Sequence, residues 1–521
     1  MTPAKPVPIS GSKSSTGSDD LFVTTEMIKK THTQELVIAL CGPIGSPLHE
    51  VSEALKERLL QDFGYERCEI VRLSDFIKKH LPESIEETSR FENIKSLIKA
   101  GDKLREAHDP SILAEFAIHY ISQDREKHSE ALGNNHHKPR RVCHIIDSVK
   151  NQEELDLLRI VYREMLYFVG VFSPLSVRQE SMEKSGLKTP EVYELIDKDS
   201  GEEIDHGQTV RDTFPESDFF LRIDSNTQTQ LNRKVKRFLD LILGTKIITP
   251  TPSETAMYTA ASAASNSACL SRQVGAALTD KEGNILSVGW NDVPKTGGGL
   301  YQSDPTADPG SEKDHRCWNS PGKCSNDDEK KEIAGQIAEE LVRDGIVLKK
   351  DREKAETALR KNSKLKGLIE FSRAVHAEMH AIIAAGQKNG GLIREGKLFC
   401  TTYPCHSCAR HIIAAGINEV YYIEPYRKSL ATRLHGDAIT EDENATSMTR
   451  ILPYEGVAPS RYLDLFKMTP NSRKDKISGR VKYTVRIESV PRITKTLEAL
   501  PTLESIVVQG LKNKNLIEVE E

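Results

Sequence analysis

Short apolar runs alternate with amphipathic stretches along the first half of the chain. Leu36–Gly42 (LVIALCG) is apolar and ends in glycine, the pattern of a buried strand and its exit turn. Apolar positions at Val51, Leu55, Leu59 and Leu60 follow at helical spacing. Cys68–Lys78 reads as a second strand running into a helix, and Arg140–Ser148 as a buried strand ending in Asp147. Glu153–Tyr162 reads as a helix and Met165–Pro174 as a further strand. Strands alternating with helices predict βαβ units around a parallel sheet. This block closes near residue 245, and Thr251–Met257 is a plausible boundary. In the next block Val274–Trp290 predicts two strands joined at a turn over Lys281–Asn284. Residues 327–370 carry mixed charge at helical spacing, which predicts a solvated helical insertion. Arg373–Gly386 predicts a helix ending in glycine, and the alternation in Val481–Glu488 predicts an added strand. No internal repeat is evident.

The 521 residues suffice for two to four domains, and 37% hydrophobic residues exclude a wholly disordered chain. The formal net charge of −5 disfavours polymeric DNA or RNA as the main substrate, because nucleic-acid binders usually carry a basic excess. Residues 1–30 are rich in Ser, Gly, Pro and Lys and predict a disordered tail without a signal-peptide core. No apolar run approaches the roughly 18 residues of a membrane span. The expected compartment is therefore the cytoplasm. Of nine cysteines, six fall between Cys269 and Cys408. In a reducing compartment that clustering suggests metal or catalysis before disulfides. Cys41, Cys68 and Cys143 lie in or beside apolar strands and are expected in the core.

The strongest chemical signal is His376-Ala377-Glu378 followed by Pro404-Cys405-His406-Ser407-Cys408. One imidazole and two thiolates make three ligands for Zn²⁺ and leave a fourth tetrahedral position open, as a catalytic site requires. A helix beginning after Pro404 would put both sulfurs on one face of its first turn, where the helix dipole favours thiolate. Glu378, two residues from His376, points elsewhere and is free to act as general acid and base. A structural Cys/His zinc site, or a redox C-x-x-C with an unrelated histidine, are the competing readings. His380, His406 and His411 are expected at the surface or behind the ligands.

These motifs resemble the cytidine and deoxycytidylate deaminase superfamily, whose H-x-E…P-C-x-x-C signature they reproduce. Cys269–Leu278 followed by Gly289–Pro294 is similar to the deoxycytidylate deaminase pattern, which implies that Asn291 contacts the substrate sugar. Two departures occur there: Trp290 stands where the pattern has Tyr, and Asp292 where it has Gly. Across residues 35–470 the chain looks most like the bacterial anti-phage dCTP deaminases, on Gly42–Ser46, Ile145–Arg159, Val210–Ile223 and Gly456–Phe466. That resemblance implies an α/β protein with an N-terminal P-loop kinase-like parallel-sheet domain and a C-terminal cytidine deaminase-like α/β/α domain. The expected organisation is a tail over 1–30, the kinase-like domain over 31–248, the deaminase domain over 249–470 and an extension over 471–521. It implies zinc-dependent deamination of dCTP and dCMP that depletes dCTP during infection, inhibition by dTTP, and a homo-oligomer. A regulatory RNA or protein inhibitor is a further expected partner, and no membrane is. The alternatives are a housekeeping dCMP deaminase for pyrimidine supply, a nucleic-acid deaminase, and a non-catalytic interaction protein.

Two further signals stand beside the main one. His315, Cys317 and Cys324 have plausible ligand spacing, and with Cys269 they resemble the cysteines that hold a structural zinc in some phage deoxycytidylate deaminases. Gly42, Gly45 and Ser46 sit where a phosphate-binding loop would be. The second glycine, lysine and hydroxyl of a full G-x-x-x-x-G-K-[ST] motif are replaced by Pro47, Leu48 and His49. Backbone amides there could still meet a phosphate. Without the lysine, nucleotide sensing or assembly is the expected role rather than phosphoryl transfer. Asp147, at a strand end, is either a Walker B-like carboxylate or a helix cap.

Overall fold

The computed structural model describes residues 33–79, 89–131, 140–199, 210–223, 228–304, 306, 313–362, 365, 367–425, 429–468, 473–475, 477–492, 500–514 and 516. The tail expected over 1–30 lies outside them. The described residues form two six-stranded sheets. The first contains β1 (Leu36–Cys41), β2 (Arg67–Arg72), β3 (Val142–Asp147), β4 (Leu166–Phe172) and β5 (Phe219–Arg222). The second contains β6 (Gly275–Thr279), β7 (Ile285–Trp290), β8 (Lys397–Thr402), β9 (Glu419–Glu424), β10 (Ile439–Thr440) and β11 (Thr449–Pro453). The last strand, β12 (Gly456–Val457), returns to the first sheet.

Strand order in the first sheet is β12-β5-β4-β1-β3-β2, parallel except where β12 meets β5. Every residue of β1 is buried, as a central parallel strand covered on both faces must be. Leu36, Ile38 and Leu40 face the helices Leu48–Gln61 and Gln228–Ile242. Val37, Ala39 and Cys41 face Ile112–Ala131 and Gln152–Tyr162. The period-two alternation thus divides one strand between two cores. Cys41, Cys68 and Cys143 are buried there.

The second sheet runs β10-β11-β9-β8-β6-β7, with β6 antiparallel to both neighbours and the rest parallel. One face carries the helices Ala377–Asn389 and His406–Ala414, packed through Ala377, Ala381, Cys408 and Ile412 on Leu278, Leu398 and Cys400. The other carries Pro252–Ala264, whose Ala256, Met257 and Ala260 meet Ala277 and Phe399. Phe220 of β5 and Tyr454 belong to that same cluster, so the two sheets share apolar packing. A capping box at Thr251 and Glu254 starts the Pro252–Ala264 helix. Glu254 also accepts from Arg237 and from the Val457 N–H, tying the helix to both halves.

Two expected elements differ. The helix after Arg373 begins only at Ala377, because Val375 is bridged to Asp292 in extended form and His376 has ψ 154°. It continues past Gly386 to Asn389. Val481–Glu488 is not a strand: Val481 makes one isolated bridge to Lys474 and Arg486–Glu488 is a 3₁₀ turn. Tyr483 is 84% exposed, so the alternation there has no sheet to face. The charged insertion forms the helices Ser325–Arg343 and Arg352–Lys361, packed on each other. The helix Leu500–Asn513 lies against Ile112–Ala131, with Glu504 reaching the buried Arg125. No helix among the described residues is long and apolar enough to cross a membrane.

Candidate active site

Two local structures converge below the second sheet. Asp292 holds the segment before the catalytic helix: its carbonyl accepts from the Val375 N–H at 2.9 Å, and its carboxylate accepts from Ala268 N–H at 3.0 Å and Val293 N–H at 2.8 Å. His376 is the N-cap residue of the helix Ala377–Asn389, and the buried Glu378 lies in its first turn. On the neighbouring element Cys405 caps the helix His406–Ala414, and its sulfur accepts from the Cys408 N–H at 3.4 Å.

His376 Nδ1 lies 3.3 Å from Cys405 Sγ and 3.3 Å from Cys408 Sγ. All three donor atoms fall within 4.8 Å of one another, and theirs is the one such group of His, Cys, Asp and Glu among the described residues. One nitrogen and two sulfurs at these separations fit a zinc ion, which takes tetrahedral N/S donors. The hydrogen bond with Cys405 pushes the His376 imidazole up to about 9. The Cys405 thiol is held down at about 4, first by its hydrogen bond with Cys408 and then by His376. Burial pushes the Cys408 thiol well up. Burial also raises Glu378, which is 4% exposed. The protein thus prepares a thiolate and places a carboxyl group in a low-dielectric setting beside it.

A cavity of about 290 Å³ opens onto His376, Glu378 and Cys405 and is also lined by Asn291, Thr402 and Tyr403. Asn291 is 8% exposed, and both ends of its amide meet backbone. Its Oδ1 accepts from the Val274 N–H at 2.7 Å and its Nδ2 donates to the Arg272 carbonyl at 2.8 Å. Its visible work is to hold the Arg272–Val274 loop at the cavity wall. The nearby histidines have other partners. His380 Nδ1 faces the Trp290 N–H at 3.3 Å, His406 faces Glu370 at 3.6 Å, and His411 Nδ1 is 2.7 Å from the Ser407 carbonyl.

The expected second metal cluster does not assemble. No three of Cys269, His315, Cys317 and Cys324 bring donor atoms within 4.8 Å of one another. Cys269 lines the catalytic cavity, Cys324 contacts the Ser271 hydroxyl at 3.5 Å, and the His315 ring packs edge-on to Tyr301. These contacts take the side chains to different neighbours.

In the first sheet, Gly42 leaves β1 so close to β4 that a Cβ would stand 2.3 Å from the Val171 carbonyl. Gly45 has φ +83°, and the Ser46 hydroxyl is buried without a partner. The helix that follows starts at Leu48 behind Pro47. Asp147 is raised by burial and opposed by Arg72. It lines a cavity of about 210 Å³ at the carboxyl ends of β1, β2 and β3, together with Ile44, Arg72 and Lys150. Carboxyl ends of parallel strands are the usual ligand crevice of such sheets.

Sequence reasoning missed Asn326, Lys330, Thr402 and Tyr403 as cavity residues. Thr402 and Tyr403 directly precede Pro404, so their adjacency to the ligand motif was an available signal. Nothing in the charge pattern marked Asn326 and Lys330.

Residues 250–424 match the family described as the cytidine and deoxycytidylate deaminase zinc-binding region. A deoxycytidylate deaminase of Enterobacteria phage T4 is 30% identical over 165 residues, covering 31% of this chain and 72% of the phage protein. ComE operon protein 2 of Bacillus subtilis (strain 168) is 43% identical over 56 residues, covering 11% of this chain and 29% of that protein. A crystal structure of dCMP deaminase from the cyanophage S-TIM5 aligns with 40% of this chain and 100% of its own, at 18% identity and a TM-score of 0.21.

Proposed function

The chain belongs to the cytidine and deoxycytidylate deaminase family, a family of zinc-binding hydrolytic deaminases, and from that premise we propose that it acts on deoxycytidine nucleotides, converting dCTP to dUTP and dCMP to dUMP. The observation that carries this reading is the convergence of His376 Nδ1 with the Cys405 and Cys408 sulfurs beside a buried Glu378, at one end of a cavity of about 290 Å³. Zinc held by those three side chains supplies Lewis-acid activation of water near neutral pH.

The remaining steps belong to the chain's own groups. Glu378 takes a proton from the attacking water and delivers it to N3 of cytosine as the C4–O bond forms. It then takes the second proton from the C4 hydroxyl and passes it to the exocyclic amine, so that the C4=O bond forms as the C4–N bond breaks and ammonia leaves. One water is consumed and one ammonia released. Burial of Glu378 supports this role, because it raises the carboxyl above its ordinary value and so eases return of the proton it accepts. Asn291 holds the cavity wall beside the sugar, and Asp292 fixes the approach of His376.

The output of this reaction is depletion of dCTP, which we assign to defence against a replicating phage. The block around β1–β5 supports that assignment over housekeeping pyrimidine supply, for which so large an additional block has no evident use. Its cavity at Ile44, Arg72, Asp147 and Lys150, and its loop lacking the phosphate-binding lysine, support nucleotide sensing without phosphoryl transfer. The test is turnover of dCMP, dCTP, CTP and cytidine, each with and without dTTP. Deamination of the deoxynucleotides, suppressed by dTTP, is expected. Turnover of cytidine alone would overturn the nucleotide assignment.

A further inference from the structure

The charged stretch beginning at Ser325 is no mere solvated decoration, because its first turn forms a wall of the catalytic cavity. Asn326 and Lys330 line that cavity with His376 and Glu378. Apart from His376, the basic side chains lining it are Arg272 and Lys330. Lys330 is only 16% exposed and stands 3.9 Å from Asp327, a carboxylate that is itself 74% exposed. Arg272 pairs with Glu424 at 3.1 Å and is half exposed. A phosphate carries more charge than either carboxylate, so it can compete for both cations. Asn326 donates its amide N–H to the Leu368 carbonyl at 3.1 Å, which fastens the insertion to the segment before His376. Its Oδ1 is buried without a partner, and the residue lines the cavity.

We propose that the insertion helix reads the nucleotide: Lys330, together with Arg272, binds the phosphate groups of the substrate, and Asn326 Oδ1 accepts a hydrogen bond from a sugar hydroxyl. This rests on the nucleotide reading above and goes beyond it by naming the residues that select a nucleotide over a nucleoside. The base must reach the His376–Cys405–Cys408 end to react. The phosphates then require cations elsewhere in the cavity, and among the described residues Arg272 and Lys330 are the ones that line it besides His376.

The test uses the full-length zinc-loaded protein and measures Kd and steady-state kinetics for deoxycytidine, dCMP and dCTP. Lys330→Ala is expected to raise Kd and KM for dCMP and dCTP by about 10- to 100-fold, the effect of one charge-assisted contact, with kcat within about twofold. Its Kd for deoxycytidine stays at the wild-type value, and Lys330→Arg recovers most of the loss. Asn326→Ala weakens deoxycytidine and its nucleotides alike, and an unchanged Kd for deoxycytidine removes the sugar contact. Wild-type Kd for both nucleotides in Lys330→Ala, or an equal loss for deoxycytidine, overturns the phosphate assignment. A wild-type protein that deaminates nothing sinks the deaminase reading instead, and the phosphate-dependent Kd difference still decides this one.

Discussion

At the scale of single residues, the proposed function divides metal binding and proton transfer between neighbouring side chains. His376, Cys405 and Cys408 present donor atoms to one point, while Glu378 is buried next to them without joining the group. Glu378→Gln keeps the shape but loses the transferable proton. It should retain zinc, measured by metal quantification, while kcat falls by about 10²–10⁴-fold. Cys405→Ser should lose both, because a hydroxyl replaces the thiolate that the site holds down at about 4. The four residues were legible because each motif is local: ligand spacing within His376–Glu378 and Cys405–Cys408 survives any uncertainty about the fold. Lys330 and Asn326 were not, since their place at the cavity depends on how a distant helix docks. Spacing permits ligation by Cys269, His315, Cys317 and Cys324, but their donor atoms do not gather, and Cys324 and His315 meet Ser271 and Tyr301 instead.

At the scale of elements, β7 and the catalytic helix touch backbone to backbone. A Cβ on Gly289 would stand 2.2 Å from the Ala377 carbonyl and 2.5 Å from the Ala381 N–H. The small residues Ala377, Ala381 and Ala385 complete that close approach. Gly289→Ala must therefore displace the helix that carries Glu378 and follows His376. It should destabilise the fold by about 1–3 kcal/mol in denaturant titration and weaken zinc retention together with activity. The βαβ alternation of the first sheet was readable because β1 and β4 are apolar runs and β3 is broken only by the buried His144 before its terminal Asp147. The start of the catalytic helix was misplaced because a tertiary bridge, Asp292 to Val375, outweighs the helical propensity of Arg373–Val375. Alternation alone misled at Val481–Glu488, where among the described residues Val481 makes only an isolated bridge, to Lys474.

At the scale of the whole molecule, residues far apart in the sequence, Glu35 and Glu504 among them, meet beside the first sheet. Arg125, 3% exposed, is shared between Glu35 at 2.7 Å and Glu504, and Glu35 also accepts from Arg140 at 2.8 Å. Glu504 sits on the helix Leu500–Asn513, whose Leu511 is buried in the core beside Ile112–Ala131. Arg125→Met leaves the buried carboxylates Glu35 and Glu504 short of a partner. It should cost roughly 3–5 kcal/mol in the unfolding of that half, followed by urea titration. None of this was visible in the sequence, because the partners lie far apart in the chain and an isolated Arg or Glu reads as surface.

The crossing between the sheets has a consequence for how such a protein can be divided. The chain leaves β11 at Pro453 and enters β12 at Gly456, where Gly456 and Val457 pair with Phe220 and Phe219 of β5. Ala458 N–H then donates to the Asp218 carbonyl, and Tyr462 stacks on Tyr258. A polypeptide ended before residue 249 would strip that flank and leave β5 with a bare row of amides and carbonyls, a template for pairing with another copy. A transplant of the catalytic half alone would carry an orphaned strand in search of its sheet. Exchange of either half therefore needs two cut sites rather than one, the second between β11 and β12.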